Sequence, residues 1–302
     1  MNPNAPLAPA LPQTPWQRLR VVLEMIKIEH TLFALPFAFT GALLAARGLP
    51  TLWQTCWILV AMVGARSAAM AFNRLVDREI DARNPRTRGR ALPAGLVSIP
   101  FVAGFTVAAA LLLVIAARAL NPLAFALSPV ALVIVCFYSY TKRFTAWSHA
   151  FLGVALALAP IGAWVAVRGT LTDAAPVAFL GAAVVCWLIG FDTIYALQDV
   201  DFDRGAGLHS LPVRFGPRRA LQMARGFHAL MIGCLIGTGI TAGRGPIYFV
   251  GVAIVAALIF VEHVIIRPDD LRRLNIAFFN VNSAVSALVL VFTASDLWLG
   301  PK

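Results

Sequence analysis

Apolar residues run through this 302-residue chain in nine long blocks, at about residues 28–46, 53–75, 98–119, 122–140, 147–167, 175–197, 220–240, 246–266 and 274–298. Each is close to the roughly 20 residues that a helix needs to cross the hydrocarbon core of a bilayer. Short links carrying Pro or Gly separate the blocks, such as Arg47-Gly48-Leu49-Pro50 and Asn121-Pro122. The pattern predicts an all-α membrane protein with nine transmembrane helices in one domain over residues 16–302. Residues 1–15 are proline-rich and lack the basic start of a signal peptide, which predicts a disordered cytoplasmic tail.

The polar links also orient the blocks. With the N-terminus in the cytoplasm, 19 of the 25 Lys and Arg fall in cytoplasmic segments or the helix ends beside them. Five (Arg47, Arg118, Arg168, Arg244 and Lys302) fall on the other side, and Arg66 lies inside the second block. An excess of cationic loops marks the cytoplasmic face, and an odd number of crossings is what keeps this alternation intact.

Composition agrees with the pattern: 60% of residues are hydrophobic and 13% charged, and the mean hydropathy is +0.79. A soluble domain carries about a quarter charged residues. The net charge of +11 is spread over short loops, with no basic module to hold nucleic acid. Anionic lipid head groups are the partner it implies. Cys56, Cys136, Cys186 and Cys234 each lie within an apolar block and form no CxxC pair, so they read as small buried side chains. The five histidines are scattered without zinc-ligand spacing; His30 and His209, near the ends of blocks, are the two that could touch a substrate.

Two block ends break the apolar rule. Asn73, Asp77 and Asp81 are spaced i, i+4, i+8, which puts them on one face of a helix. Asp192, Tyr195, Asp199 and Asp203, at offsets 0, 3, 7 and 11, share a face in the same way. Both clusters end on the cytoplasmic side, four blocks apart, which hints at two four-helix halves plus a ninth helix. Acidic side chains at membrane depth are costly and usually mark a site. Aligned carboxylates repel one another unless a cation is bound. Carboxylate and amide oxygens without His or Cys suit Mg²⁺, which takes one or two carboxylates and completes its shell with water and substrate phosphate. Arg66, Arg86, Arg88, Arg90, Lys142 and Arg143 supply the cations for such a phosphate, a diphosphate held by arginine forks. Glu29, Glu79, Asp201, Asp269 and Asp270 are out of phase or beside basic loop residues, and read as solvated ion pairs.

At these residues the chain resembles the UbiA-type intramembrane aromatic prenyltransferases. Their first motif, NDxxDxxxD, reads here Asn73-Arg74-Leu75-Val76-Asp77-Arg78-Glu79-Ile80-Asp81. Their second, DxxYxxxDxxxDxxxG, is matched by Asp192, Tyr195, Asp199, Asp203 and Gly207, and a Tyr-x-x-x-Lys-Arg element by Tyr138, Lys142 and Arg143. The resemblance implies a UbiA-type bundle in a bacterial inner membrane, its site facing the cytoplasm. It implies Mg²⁺ held by Asn73, Asp77, Asp81, Asp199 and Asp203, and a polyprenyl diphosphate gripped by Arg66, Lys142, Arg143 and Tyr138. It further implies an aromatic acid positioned or deprotonated by Asp192. The one departure, Arg74 for Asp at the second position of the first motif, falls off the Asn73/Asp77 face and should leave metal binding intact. The implied acceptor is 4-hydroxybenzoate, for ubiquinone, or 1,4-dihydroxy-6-naphthoate, for futalosine-pathway menaquinone. A cation-coupled transporter and a non-catalytic lipid-binding protein are the rival classes.

Overall fold

A computed structural model describes residues 14–26, 31–266 and 281–300. The described residues are helical, with no strand among them. Helix α1 (Pro15–Met25) is followed by α2 (Thr31–Ala46), α3 (Leu52–Val76), α4 (Arg78–Arg83), α5 (Ile99–Leu120), α6 (Pro122–Thr141) and α7 (Ser148–Arg168). After them come α8 (Ala175–Tyr195), α9 (Val200–Gly205), α10 (Leu211–Phe215), α11 (Pro217–Thr241), α12 (Pro246–Ile265) and α13 (Asn282–Leu299). Among the described residues eight helices are long and apolar enough to cross a membrane. The first expected span appears as α2, a 16-residue helix and so shorter than the roughly 20 residues of a full crossing; the ninth is described only from residue 281. The chain is an integral membrane protein.

Local sequence fixes where these helices start. Thr51 and Asn121 accept the free backbone N–H groups of Gln54 and Ala124, and Pro occupies the first turn of α5, α6, α8, α11 and α12, where its missing N–H costs nothing. Thr14 caps α1 by a reciprocal pair with Gln17. α1 thus begins at the end of the stretch 1–15 expected as a tail, of which residues 1–13 lie outside the described residues. α1 buries Val22 and Met25, and next to it Ile26, against Ala71, Leu92, Val97 and Val102, and leaves Trp16 exposed. It is a surface helix packed beneath the loop that follows α4.

The core lies where α8 meets α7, α11 and α2, with Phe37, Trp187 and Phe191 stacked in it. The Trp187 indole N–H, deep in this core, finds the Asn282 side-chain oxygen at 2.7 Å. α3 packs on α5 and α6, and α6 on α7. Close approach of α3 and α5 needs Gly64, where a Cβ would lie 2.7 Å from the Leu113 backbone nitrogen. α2 packs on α7 and α13 and touches α3 only lightly. The first expected half is therefore not a closed four-helix set: α2 joins the later helices.

Alternating helices bring one end of each of α3, α6, α7, α8 and α11 together, carrying both acidic motifs; this is the motif end of the bundle. An apolar cavity of about 290 Å³ opens among α3, α5, α6 and α7. Its lining runs from Arg66, Met70 and Tyr138 toward the motif end to Ala117, Ala124 and Ala166 at the other. Tyr138 and Ala124 are 14 residues apart on α6, which is about 20 Å of helix.

Candidate active site

α3 delivers Asn73 and Arg74 in its last turn and stops at Val76. Asp77 takes φ −89° and ψ 4°, the sparsely allowed bridge between helix and strand regions, and α4 starts after it. The predicted unbroken helical face is thus interrupted at its central aspartate. The spacing survives because the i to i−4 bonds continue across the break, Asp77 N to Asn73 O at 2.9 Å and Asp81 N to Asp77 O at 2.8 Å. The second motif repeats the device. α8 ends at Tyr195, a 3-10 turn covers Ala196–Asp199, and Asp199 takes φ −105° and ψ 4° before α9 begins. Each central aspartate therefore stands at a joint between two helices.

Lys and Arg side chains hold Asp77, Asp81 and Asp199. Asp77, almost wholly buried, accepts from Asn73 Nδ2 at 3.0 Å and pairs with Lys142 Nζ at 2.9 Å and Arg143 Nη2 at 3.3 Å. Arg143 also donates to the Val76 carbonyl at 2.6 Å, a helix C-terminal oxygen that favours a cation. Asp81 has both oxygens 2.8 Å from Arg90 Nη1, with Arg74 Nη1 at 3.5 Å. Asp199 receives a fork from Arg86, Nε to Oδ1 at 2.9 Å and Nη2 to Oδ2 at 2.7 Å. The guanidinium also lies 5.7 Å over the Tyr195 ring. Partial burial opposes the charge of Arg86, but the hydrogen bonds and charge of Asp199 outweigh it and hold the group above the usual arginine range.

The loop after α4 aims Arg86 and Arg90. Asn84 accepts the Arg86 N–H with its side chain at 2.9 Å, an Asx turn. Thr87 Oγ donates to the Asp81 carbonyl at 3.0 Å, and Arg90 N to the Thr87 carbonyl at 2.9 Å. These bonds tie the loop back onto the motif it follows.

The two motifs meet. Arg86 carries the first motif's loop onto Asp199 and also feels Asp81. Lys142, bonded to Asp77, lies within electrostatic reach of Asp203, as do Asp199, Arg86 and His149. The His209 N–H donates to the Lys142 carbonyl at 2.8 Å, so the loop after α9 touches the loop after α6; the His209 side chain itself is exposed. Tyr138, with its hydroxyl 3.9 Å from Met70 Sδ, feels Arg66, Arg74 and Asp77 and lines the apolar cavity together with Arg66. The cavity thus begins beside the charged cluster. Asp201 and Arg88 are exposed, and Glu79 is exposed beside Arg78. His30, Glu29, Asp269 and Asp270 lie outside the described residues.

Two site neighbours are absent from the expectations. Arg74, which falls off the Asn73/Asp77 face, is buried and pairs with Asp81. His149, at the start of α7, has Nδ1 2.7 Å from Asp192 Oδ2; nothing in the spacing of residues 43 apart announces that contact.

Could these residues hold a metal? Among the described residues no three His, Cys, Asp or Glu side chains converge on one point. The donors are carboxylates plus the Asn73 amide, the hard-oxygen chemistry of Mg²⁺. That ion asks only one or two carboxylates of the protein when a diphosphate provides further oxygens. The donor set fits on those terms, with each motif as one half of a clamp.

Residues 34–284 match the UbiA prenyltransferase family. The chain belongs to that family. It is a prenyltransferase, and the transporter and lipid-binding classes give way to an enzyme. The 4-hydroxybenzoate octaprenyltransferase of Aromatoleum aromaticum is 32% identical over 289 residues, covering 94% of this chain and 97% of that one. The 4-hydroxybenzoate solanesyltransferase of a Synechocystis strain is 33% identical over 255 residues, or 84% of this chain and 85% of its own. A UbiA homolog from Aeropyrum pernix K1, solved without ligand, superposes with a TM-score of 0.81 at 36% identity, covering 88% of this chain and 97% of its own. A homolog from Archaeoglobus fulgidus solved with GPP and Mg²⁺ shares the fold at a TM-score of 0.67 and 20% identity, over 91% of this chain and 99% of its own.

Proposed function

We propose that this UbiA-family enzyme transfers a polyprenyl group from a polyprenyl diphosphate to 4-hydroxybenzoate, with Mg²⁺, in ubiquinone synthesis. It does so as a single domain over residues 16–302 at the cytoplasmic face of a bacterial inner membrane. The observation that carries this reading is the meeting of the two acidic motifs beside an apolar cavity: Arg86, from the loop after the first motif, forks onto Asp199 of the second, while Lys142 and Arg143 hold Asp77. That cavity suits an isoprenoid tail, and the charged cluster suits a diphosphate head. The acceptor is drawn from the relatives in Aromatoleum and Synechocystis, both named for 4-hydroxybenzoate; nothing in the site favours the dihydroxynaphthoate alternative.

Asn73, Asp77 and Asp81 on one side and Asp199 and Asp203 on the other would hold the metal. When bound, Mg²⁺ supplies positive charge to the phosphate oxygens and so eases departure of the diphosphate. Lys142, Arg143, Arg86 and Arg90 can turn from their carboxylates to donate to the diphosphate oxygens, with Arg66 and Tyr138 at the cavity side. The allylic C–O bond breaks and its electron pair leaves with the diphosphate. The apolar walls keep water from the carbon that is left positive. A ring carbon of the acceptor forms the new C–C bond, and the proton displaced from it passes to Asp192.

Purified protein given a polyprenyl diphosphate, Mg²⁺ and a panel of aromatic acids should yield prenylated 4-hydroxybenzoate, read by mass spectrometry. No prenylated product with any acceptor would remove the aromatic-acceptor reading. Product from dihydroxynaphthoate alone would replace the acceptor.

A further inference from the structure

We infer that His149 is a positioning residue for acceptor chemistry: it fixes Asp192 so that one carboxylate oxygen is free to take the proton of the aromatic ring. This rests on the prenyl-transfer reading above. Three observations carry it. His149 Nδ1 and Asp192 Oδ2 are 2.7 Å apart, the short end of a charge-assisted contact. The His149 side chain is only 8% exposed while that of Asp192 is 22% exposed, so the histidine is walled in and the aspartate keeps an open side. Finally, His149 Nε2 is buried with no hydrogen-bond partner. An ionised carboxylate can only accept, so the Nδ1 that faces Asp192 is the nitrogen that donates to it, and among the described residues no other group competes for the ring.

Helix packing holds the pair in place. Gly153, one turn along α7 from His149, meets α8 so closely that a Cβ there would lie 3.0 Å from the Val185 carbonyl oxygen. Two backbones at that distance let a histidine on one helix reach an aspartate on the other. Asp192 is otherwise unlike its motif partners. Asp77, Asp81 and Asp199 are held by Lys or Arg, cations that can move onto phosphate oxygens. Asp192 is held by a buried ring with nowhere else to go. A carboxylate so fixed is suited to the acceptor half of the reaction: it receives H⁺ from the ring carbon once the C–C bond has formed, then loses it to water, and no redox partner is needed.

The test uses full-length enzyme in detergent, with His149→Leu, His149→Asn and His149→Gln. Turnover, KM for each substrate and release of prenyl alcohol by water capture are measured together. Asn places an amide nitrogen near the Nδ1 position and should keep kcat within about threefold. Leu, and Gln with its donor one bond too far, should lose about 10–100-fold in kcat, the usual cost of losing an orienting partner. KM for the polyprenyl diphosphate and the release of prenyl alcohol should hold, because ionisation does not involve Asp192. Wild-type kcat in both Leu and Gln variants would overturn the inference. So would equal losses with Asn and Gln, or a collapse of alcohol release alongside kcat. Should the Leu variant not fold, the Asn and Gln pair decides alone. Wild-type enzyme that makes no prenylated product would instead sink the reading on which the inference rests.

Discussion

At the end of the bundle remote from the motifs, the Asp296 side chain is as buried as that of Asp77, yet its partners are of another kind. The Gly245 and Tyr248 backbone N–H groups donate to it at 2.8 and 3.2 Å, so the carboxylate closes the N-terminus of α12, with Arg244 3.9 Å away. Asp77, Asp81 and Asp199 are held by the tips of Lys and Arg side chains. A backbone amide cannot leave its carboxylate without unwinding a helix. A guanidinium on three methylenes can swing to another anion. A buried carboxylate in a membrane protein therefore says little by itself; what it is bonded to says whether it is fixed or exchangeable. Asp77, Asp81 and Asp199 have partners of the movable kind, which suits the proposed alternation between empty and diphosphate-loaded states.

The largest effect should follow from deleting an exchangeable carboxylate. Asp77→Ala and Asp199→Ala should each lower kcat by at least about 10²–10³-fold, the scale of losing one preorganised electrostatic group. Asp201→Ala, exposed two residues further on, should stay within about twofold. Product formation at saturating substrates measures all three. Equal losses would mean that acidity near the motif matters and placement does not, and the contrast would collapse.

Next comes the cation that joins the motifs. Arg86→Ala should raise KM for the diphosphate about 10–100-fold, the value of a charge-assisted fork, and Arg86→Lys should not restore it, because a point charge cannot make the bidentate contact. The Arg86 side chain is 39% exposed, so its pairing with Asp199 adds little to stability and Tm should move by no more than a few degrees. A large fall in Tm with KM unchanged would class Arg86 with the fixed partners of Asp296.

How much of this was readable before coordinates? Seven of the nine apolar blocks appear as helices long enough to span, with ends within a few residues, because hydrocarbon solvent leaves the backbone no alternative to a helix; the block at 274–298 spans too, but is described only from residue 281. The motif aspartates were legible because an acidic residue in an apolar block is costly. Two things were not. A helical wheel assumes a straight axis, so it could not show the joints at Asp77 and Asp199; the Arg74–Asp81 pair, seven residues apart and about 20° apart on that wheel, was legible but was passed over because Arg74 was compared with Asn73 and Asp77 alone. His149–Asp192 is a contact between helices, and the periodicity of a single helix is silent about its neighbour. Thr14-Pro15, by contrast, carried a readable signal: a Thr followed three residues later by Gln is a capping box, and the proline-rich composition around it masked the start of α1.

Smaller effects test the fixed side of the contrast. Asp296→Ala removes a helix cap and a buried charge, and should cost about 1–2 kcal/mol, seen as a lower Tm in a thermal melt. The kcat and KM of the folded fraction should be those of wild type. A changed KM for the diphosphate would mean that the remote end reaches the site, and that its backbone-held carboxylate is not merely structural.

The smallest effect falls closest to the chemistry. Glu79 is two residues from Asp81 on the same short helix, pairs with Arg78 at 3.3 Å and has a side chain 74% exposed. Solvent screens such a pair, so Glu79→Gln should change stability by less than about 0.5 kcal/mol and leave kcat and both KM values within about twofold. Proximity in sequence is thereby separated from participation. Asp81, enclosed by Arg74 and Arg90, belongs to the exchangeable set because its partners are cations that a phosphate can recruit. Glu79 has a cation too, but both members already face solvent and neither gains from a bound anion. A tenfold loss on Glu79→Gln would show that net charge at the motif end sets diphosphate affinity, whichever carboxylates the basic side chains enclose.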